Sequence, residues 1–368
     1  MTEISHNYLP QQFADADAIL DGIRAVVKRG DFTLGAEVAL FEREFAQMCG
    51  VKHAIGVGNG TDALFLALKA LDIRPREEVI TTPYSFYATT ASICNAGGTP
   101  VFVDVGNDFN IAANLIENKI TPYTVGIVPV HWAGKPCNMA AIMSVAERFN
   151  LWVMEDCAHA PYTMYHGKRC GSFGAVNAFS LHPLKNVNVW GDGGVITTDS
   201  DEKADFLRKI RNHGMVDRNT SEFWGYNSRL DTVQAVVARH VLARLPEITA
   251  KRRANAAFLN SALKGIPALE LPRDPEASES NYYLYSLRAH RRDALQAYLV
   301  RHGVDAKVHY PRPLHLQPAA RALGHERGDF PNAEKCADTT LSLPVHEFIT
   351  QPQLDCMAAL VKEFYARV

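Results

Sequence analysis

The sequence lacks the features that would place it in a bilayer, in an oxidising compartment or on nucleic acid. No apolar run approaches the ~20 residues that a membrane-spanning helix requires. The opening stretch MTEISHNYLPQQFADAD has neither a basic n-region nor an apolar h-region, so a secretory signal is not expected. Seven cysteines, at positions 49, 94, 137, 157, 170, 336 and 356, are scattered, odd in number and never spaced CxxC. That pattern argues against a disulfide framework and against a zinc site, so no metal is expected and a reducing cytoplasm fits. An excess of positive charge is also missing: 38 Lys and Arg stand against 40 Asp and Glu, leaving no basic field to hold nucleic acid. Repeats, low-complexity tracts and long linkers are absent as well.

What remains is an ordinary globular balance, 47% hydrophobic and 21% charged. A chain of 368 residues exceeds one core of usual size and implies one large and one smaller lobe. Apolar runs at 53–58 (HAIGVG), 78–83 (EVITTP), 100–105 (PVFVDV), 124–130 (TVGIVPV) and 151–156 (LWVMED) read as short buried strands. Helical patterns at 61–73, 85–98 and 138–150 lie between them, which implies βαβ units and a largely parallel sheet. AVNAFSL (175–181) and GGVITTD (193–199) look like the end of that sheet, in shorter or antiparallel pieces. After Asp199 the texture becomes helical at 203–214, 229–245 and 248–265, with caps or breaks between the segments. A strand at 282–289 and helices at 291–303 and 351–368 complete a mixed α+β remainder. The boundary is expected near residue 245, giving lobes 1–245 and 246–368.

Three segments carry candidate chemistry. In Gly56-Val-Gly-Asn-Gly60-Thr61-Asp62 a strand ends in glycines and Thr61 opens a helix, which makes an anion site or simply a Gly-rich turn. A dinucleotide fingerprint is excluded because the spacing is GxGxG, not GxGxxG. Asp156 ends a buried strand at the carboxyl edge of the sheet, where α/β folds bind ligands; a helix-capping aspartate is the plainer reading. His159 follows three residues on, as a ligand contact or as a packed polar residue. Lys185, in FSLHPLKN, falls in a turn between an apolar strand and a Gly-rich segment, where desolvation should lower its pKa. Ser180 offers a hydroxyl to the same anion site. A lysine, a carboxylate, a phosphate cup and a flat side chain are together what a pyridoxal 5′-phosphate (PLP) enzyme needs.

These segments resemble the DegT-type sugar aminotransferases, PLP enzymes of fold type I. The similarity runs through DFTLGAEVALFEREFA (31–46), GNGTDAL (58–64), PYSFYAT (83–89), EDCAHA (155–160), FSLHPLKN (179–186), GYNSRLDTVQA (225–235), YPRPLHLQP (310–318) and LSLPVHEF (341–348). It implies an α/β PLP-transferase fold with a mainly parallel seven-stranded sheet and a smaller α+β C-terminal domain. It also implies a transaminase moving an amino group from an amino acid, L-glutamate by family analogy, to a keto-sugar of the kind the family mainly uses, nucleotide-linked. Position by position, Lys185 matches the imine lysine, Asp156 the pyridinium partner and Tyr87 the ring that stacks on the cofactor. Gly60, Thr61 and Ser180 match phosphate ligands, His159 a residue near the ring oxygen, and Asn227 a phosphate contact from the neighbouring subunit of an obligate homodimer. His309, Tyr310 and His315 lie in a substrate-facing loop, as does the stretch Asp31 to Leu34; each has a purely structural reading too. The family's Gly-Glu-Gly-Gly is here Gly191-Asp192-Gly193-Gly194, one methylene shorter at the acid. Two alternatives stand beside this reading: a PLP-dependent sugar dehydratase, in which the family replaces the lysine with histidine, and a non-catalytic PLP-binding regulatory dimer.

Overall fold

The apolar runs of the first half become the central sheet of a computed structural model that describes residues 3–367. Its strands are β1 (His53–Val57), β2 (Glu78–Thr81), β3 (Thr99–Phe102), β4 (Thr124–Ile127), β5 (Trp152–Asp156), β6 (Val176–Ser180) and β7 (Gly194–Thr198). They lie in the order β1-β7-β6-β5-β4-β2-β3. Pairing is parallel from β6 through β5, β4, β2 and β3, and only β7 runs against its neighbours. Helices cover both faces, so the strands are buried almost throughout, as parallel sheets must be. One expectation changes here. β7 does not finish the sheet at an edge but inserts between β1 and β6, where Val195 and Ile196 are wholly buried.

The helical segments at 229–245 and 248–265 form one helix, Thr232–Leu263, with Pro246 inside it. A proline within a helix costs about 3 kcal/mol. The helix absorbs that cost because both halves are anchored: Ala235, Ala238, Leu242 and Leu245 pack on the central sheet's core, while Ala256, Leu259 and Leu263 pack on the C-terminal core. The expected lobe boundary therefore falls within a continuous helix whose allegiance changes near Pro246.

The C-terminal lobe is built on an antiparallel sheet of β8 (Leu269–Glu270), β9 (Tyr285–Ala289) and β10 (Thr340–Leu343), backed by helices Arg292–Arg301 and Gln351–Ala366. The start of the chain joins this lobe rather than the large one. Ile4 pairs with Val304 and is buried in the C-terminal core. Two devices hold the lobes together. Asp104, just past β3, accepts the backbone N–H groups of Asn332 (3.0 Å) and Ala333 (2.8 Å), capping the Pro331–Thr339 helix from the other lobe. Arg252 and Glu347 form a buried pair, Nε to Oε2 at 3.1 Å, and the Arg252 guanidinium donates to the carbonyls of Tyr282 and Tyr283. Among the described residues no helix is long and apolar enough to cross a membrane.

Arg252→Leu should destabilise the protein by about 3–5 kcal/mol, because Glu347 would be left buried and unpaired. Urea unfolding would show a lower midpoint at unchanged slope. A loss under 1 kcal/mol would mean that the pair adds nothing to the packing around it.

Candidate active site

Successive residues of a strand face opposite ways, and the Glu155-Asp156 pair at the end of β5 uses both directions. Glu155 accepts the N–H groups of Gly171 (2.9 Å), Phe173 (2.7 Å) and Gly174 (3.1 Å). His131 Nδ1 accepts the Cys137 N–H at 3.0 Å, which assigns the ring proton to Nε2 and lets it donate to Glu155 at 2.8 Å. Cys157 lies close enough to make His131, Glu155 and Cys157 a group of metal-type donors. The lone pairs of the first two are already occupied, so this cluster reads as a brace.

Asp156 is compensated only in part. Its Oδ2 accepts from Thr89 Oγ1 at 2.8 Å and its Oδ1 from the Ala158 N–H at 3.0 Å. Burial pushes its carboxyl pKa up, against those two hydrogen bonds and the nearby Lys185 charge, which pull it down. Lys185 itself sits on the connection between β6 and β7. The Lys185 N–H closes a turn on the His182 carbonyl at 2.8 Å. Its carbonyl accepts from Asn188 Nδ2 (3.1 Å) and from the Tyr8 hydroxyl (3.3 Å). The side chain passes over the Tyr283 ring, with Nζ 4.6 Å from the ring centre and 3.5 Å from the hydroxyl. Burial lowers the Lys185 pKa from 10.5 to about 8, and Asp156 opposes that shift.

His159 stacks on the other partner of this contact, Tyr283, at 4.3 Å between ring centres. Its Nδ1 accepts the Ala133 N–H at 3.3 Å and its Nε2 faces the Tyr310 hydroxyl at 3.4 Å. Burial, with the charges of Lys185 and His309 adding to it, holds the imidazole well below its usual pKa, so it is uncharged. Burial likewise raises the Tyr310 phenol well above its usual range. The structure thus brings Asp156, His159, Lys185 and Tyr310 into one cluster. His309 lies beside it, with Nδ1 3.0 Å from the Ser342 hydroxyl, and burial drives its pKa down to about 3. His315 is elsewhere, buried against Phe330 and 3.1 Å from Glu334, and makes no contact with this cluster.

The glycine turn does the rest. Asn59 caps the Gly60–Lys69 helix by accepting the Asp62 N–H at 2.8 Å, leaving the N–H groups of Gly60 and Thr61 without a partner among the described residues. A side chain at position 60 would put Cβ 2.6 Å from Ser180 Cβ, so only glycine lets Ser180 stand at this helix terminus. Gly60, Thr61 and Ser180 therefore share one spot that favours an anion. Tyr87 opens the helix whose first turn also carries Thr89, and it is 55% exposed. Asn227 is exposed on a loop next to Ser228, whose hydroxyl accepts the Gly58 N–H at 3.0 Å and donates to Asp62 at 2.6 Å. Thr89 and Tyr283 were not singled out in the sequence. Thr89 lies within the PYSFYAT segment, whereas nothing near Tyr283 marks it as more than a strand residue.

Over residues 14–362 the sequence matches the DegT/DnrJ/EryC1/StrS aminotransferase family. The chain belongs to this family. The dTDP-3-amino-3,4,6-trideoxy-alpha-D-glucose transaminase of Streptomyces venezuelae is 39% identical to it over 356 residues, covering 96% of this chain and 93% of that one. A protein of Geobacillus stearothermophilus named as a pleiotropic regulatory protein is also 39% identical, over 92% of both chains. Among solved structures, S. venezuelae DesV in complex with a ketimine intermediate superposes with a TM-score of 0.98 at 37% identity, covering 100% of both chains. Family members are named as transaminases of dTDP- and UDP-linked sugars, so an aminotransferase with the expected α/β architecture is what this chain is similar to throughout.

The lowered Lys185 pKa has a direct readout. Acetylation of Lys185 in cofactor-free protein should rise with pH to half its maximum near pH 8, since only the neutral amine reacts. An exposed lysine would need about pH 10.4. Peptide mass spectrometry across a pH series measures this, and a midpoint near 10 would show that the amine is solvated.

Proposed function

We propose that this chain is a PLP-dependent transaminase that moves an amino group from an amino acid, L-glutamate in the first instance, to a nucleotide-linked keto-sugar. The observation that carries the reading is the buried Lys185 amine, poised near neutrality, facing a buried Asp156 carboxylate whose compensation is incomplete. The residues present fit PLP: Gly60, Thr61 and Ser180 offer a cup for its phosphate, and Asp156 a counter-charge for its ring nitrogen. Bound there, PLP supplies an electron sink for breaking a bond at the substrate's Cα.

The protein's part is to hold and move protons. With PLP held there, Lys185 would be the base that takes the proton from the donor's Cα and the acid that gives it back. Its proximity to neutrality suits both steps, because the group must accept and give within one turnover. Asp156 keeps a positive charge on the ring nitrogen; a cation there would draw down the carboxyl that burial has pushed up. Uncharged His159, stacked on Tyr283, directs its Nε2–H towards the Tyr310 hydroxyl and would stand beside the ring of a bound PLP. By the family resemblance we assign His309 and Tyr310 to the acceptor side, and His315, held by Glu334, to support of the loop that carries them. The cytoplasmic reading rests on seven cysteines that are all unpaired.

We also propose a homodimer with shared sites, in which Asn227 reaches the phosphate of the neighbouring subunit. Trp224, 95% exposed, lies on the same loop, with Tyr226 also exposed, as an interface would require. Mixing inactive Lys185→Ala and Asn227→Ala dimers, then allowing subunits to exchange, should recover activity above either alone. No recovery after demonstrated exchange would place each site within a single subunit.

The absorption spectrum tests the main reading. Purified protein should be yellow, and L-glutamate should bleach that band, while Lys185→Ala abolishes turnover. Protein that stays colourless after added PLP would support a non-catalytic role, which the name of the G. stearothermophilus relative brings into view. Yellow protein indifferent to glutamate would keep PLP and point to another donor or to dehydration.

A further inference from the structure

A pocket of about 730 Å³ opens between the lobes, away from the Lys185 cluster. Phe109 lines it, and Tyr84 and Trp132, which stack on Phe109, also pack edge-on against Tyr310. An aromatic layer thus separates this space from His159. Its walls come from both lobes: the connections after β3 and β4 supply Phe109 and Lys135, and the C-terminal lobe supplies Leu263, Ile266, Leu271 and Arg288.

Lys135 is 7% exposed, and among the described residues its ammonium has no hydrogen-bond or ion-pair partner. Its nearest recorded interaction is with the face of Phe109, 5.9 Å from the ring centre. Its stem is buried, but the Lys135 nitrogen keeps contact with the pocket's solvent, where an anion can meet it, unlike the fully enclosed, unpartnered Arg288 Nε. Burial lowers its pKa, and the more distant carboxylates of Asp108 and Asp274 offset this only in part. Asp108 lines the pocket too, but its oxygens accept from Asn110 N (3.3 Å) and Nδ2 (3.4 Å) in its own loop. Arg288 also lies over Phe109, at 5.4 Å. One of its terminal nitrogens is held by the Asn107 carbonyl and Glu270, while its buried Nε has no partner. Lys264 and Arg273 add two exposed cations at the rim. The combination is an apolar wall and an unpaired cation with further cations around it, against two lining carboxylates, Asp108 and Glu270, that are already engaged by Asn110 and by Arg288, within the size range of small-molecule sites.

We propose that this inter-lobe pocket is a second ligand site, for a phosphate monoester with an aromatic or apolar body, whose oxyanion pairs with Lys135. A dianion matches several cations where a carboxylate would need one. The site is independent of the Lys185 chemistry. Because its walls belong to both lobes, an occupant would tie them together.

Phenyl phosphate is the probe, titrated calorimetrically into the full-length protein as purified, with inorganic phosphate and benzoate alongside. Phenyl phosphate should bind more tightly than either comparator. Lys135→Met should weaken it by at least about tenfold, the usual loss of a charge-assisted contact. Arg273→Glu, at an exposed position that leaves the fold intact, should weaken it several-fold while ligand-free amino transfer stays unchanged. Absence of binding at millimolar probe would overturn the proposal, as would equal affinity in Arg273→Glu and the parent protein. Benzoate binding as tightly as phenyl phosphate would overturn the phosphate assignment. Should Lys135→Met fail to fold, Arg273→Glu alone decides.

Discussion

Two adjacent carboxylates at the buried end of one strand set the terms for the whole site. Glu155 and Asp156 cannot both stay ionised in a protein interior without partners, and the fold treats them in opposite ways. Glu155 is answered entirely from within the chain, by three backbone N–H groups and His131. Those contacts lock β5 to the 171–174 turn and to the connection after β4, which makes the strand end rigid. Asp156 receives only Thr89 and the Ala158 N–H, and the remaining positive charge nearby is Lys185. Rigidity on one side and incomplete compensation on the other are what a cofactor with a protonated ring nitrogen would exploit.

The surroundings of Lys185 are not the work of one lobe. Tyr283, which touches both Lys185 and His159, belongs to the C-terminal half, and its carbonyl is held by Arg252 of the long helix. Arg252 is in turn paired with Glu347. The environment that lowers the amine's pKa therefore depends on the two lobes being packed, and loosening that contact would let water reach Lys185. Asp104 capping the Pro331–Thr339 helix serves the same end from the opposite side.

Much of this was legible in the sequence where the signal was local. Apolar runs of five or six residues separated by helical patterns became the parallel strands, and Lys185 and Asp156 stood out because each followed a buried strand. The Gly60–Thr61 turn was visible as a strand ending in glycines before a helix, although its spacing alone left an anion site and an ordinary Gly-rich turn both open. Long-range effects were not legible. Pro246 reads as a break by its own chemistry, and only burial on both lobes keeps the helix whole. The insertion of β7 between β1 and β6 leaves no mark in its own residues, which are as apolar as an edge-covered strand would be. His315 looked like a ligand because histidine in a Pro-rich loop is ambiguous until Glu334, from another element, is seen to claim it. Tyr283 was hidden because its partners lie 98 and 124 residues away, at Lys185 and His159.

The first residues of the chain run through the C-terminal lobe before they reach the large one. The His6 N–H bonds to Asp305, the Ser5 carbonyl lies 3.0 Å from His346, and the Tyr8 hydroxyl ends on the backbone of Leu184 and Lys185. The amino terminus is thereby a tether on the loop that presents the amine. For anyone handling the protein, the two ends of the chain are not equivalent attachment points. A fusion partner joined directly before Ile4 would pull on Lys185 through five residues of ordered chain, whereas one placed after the Gln351–Ala366 helix would load the C-terminal core, which reaches the amine less directly, through Arg252 and Tyr283.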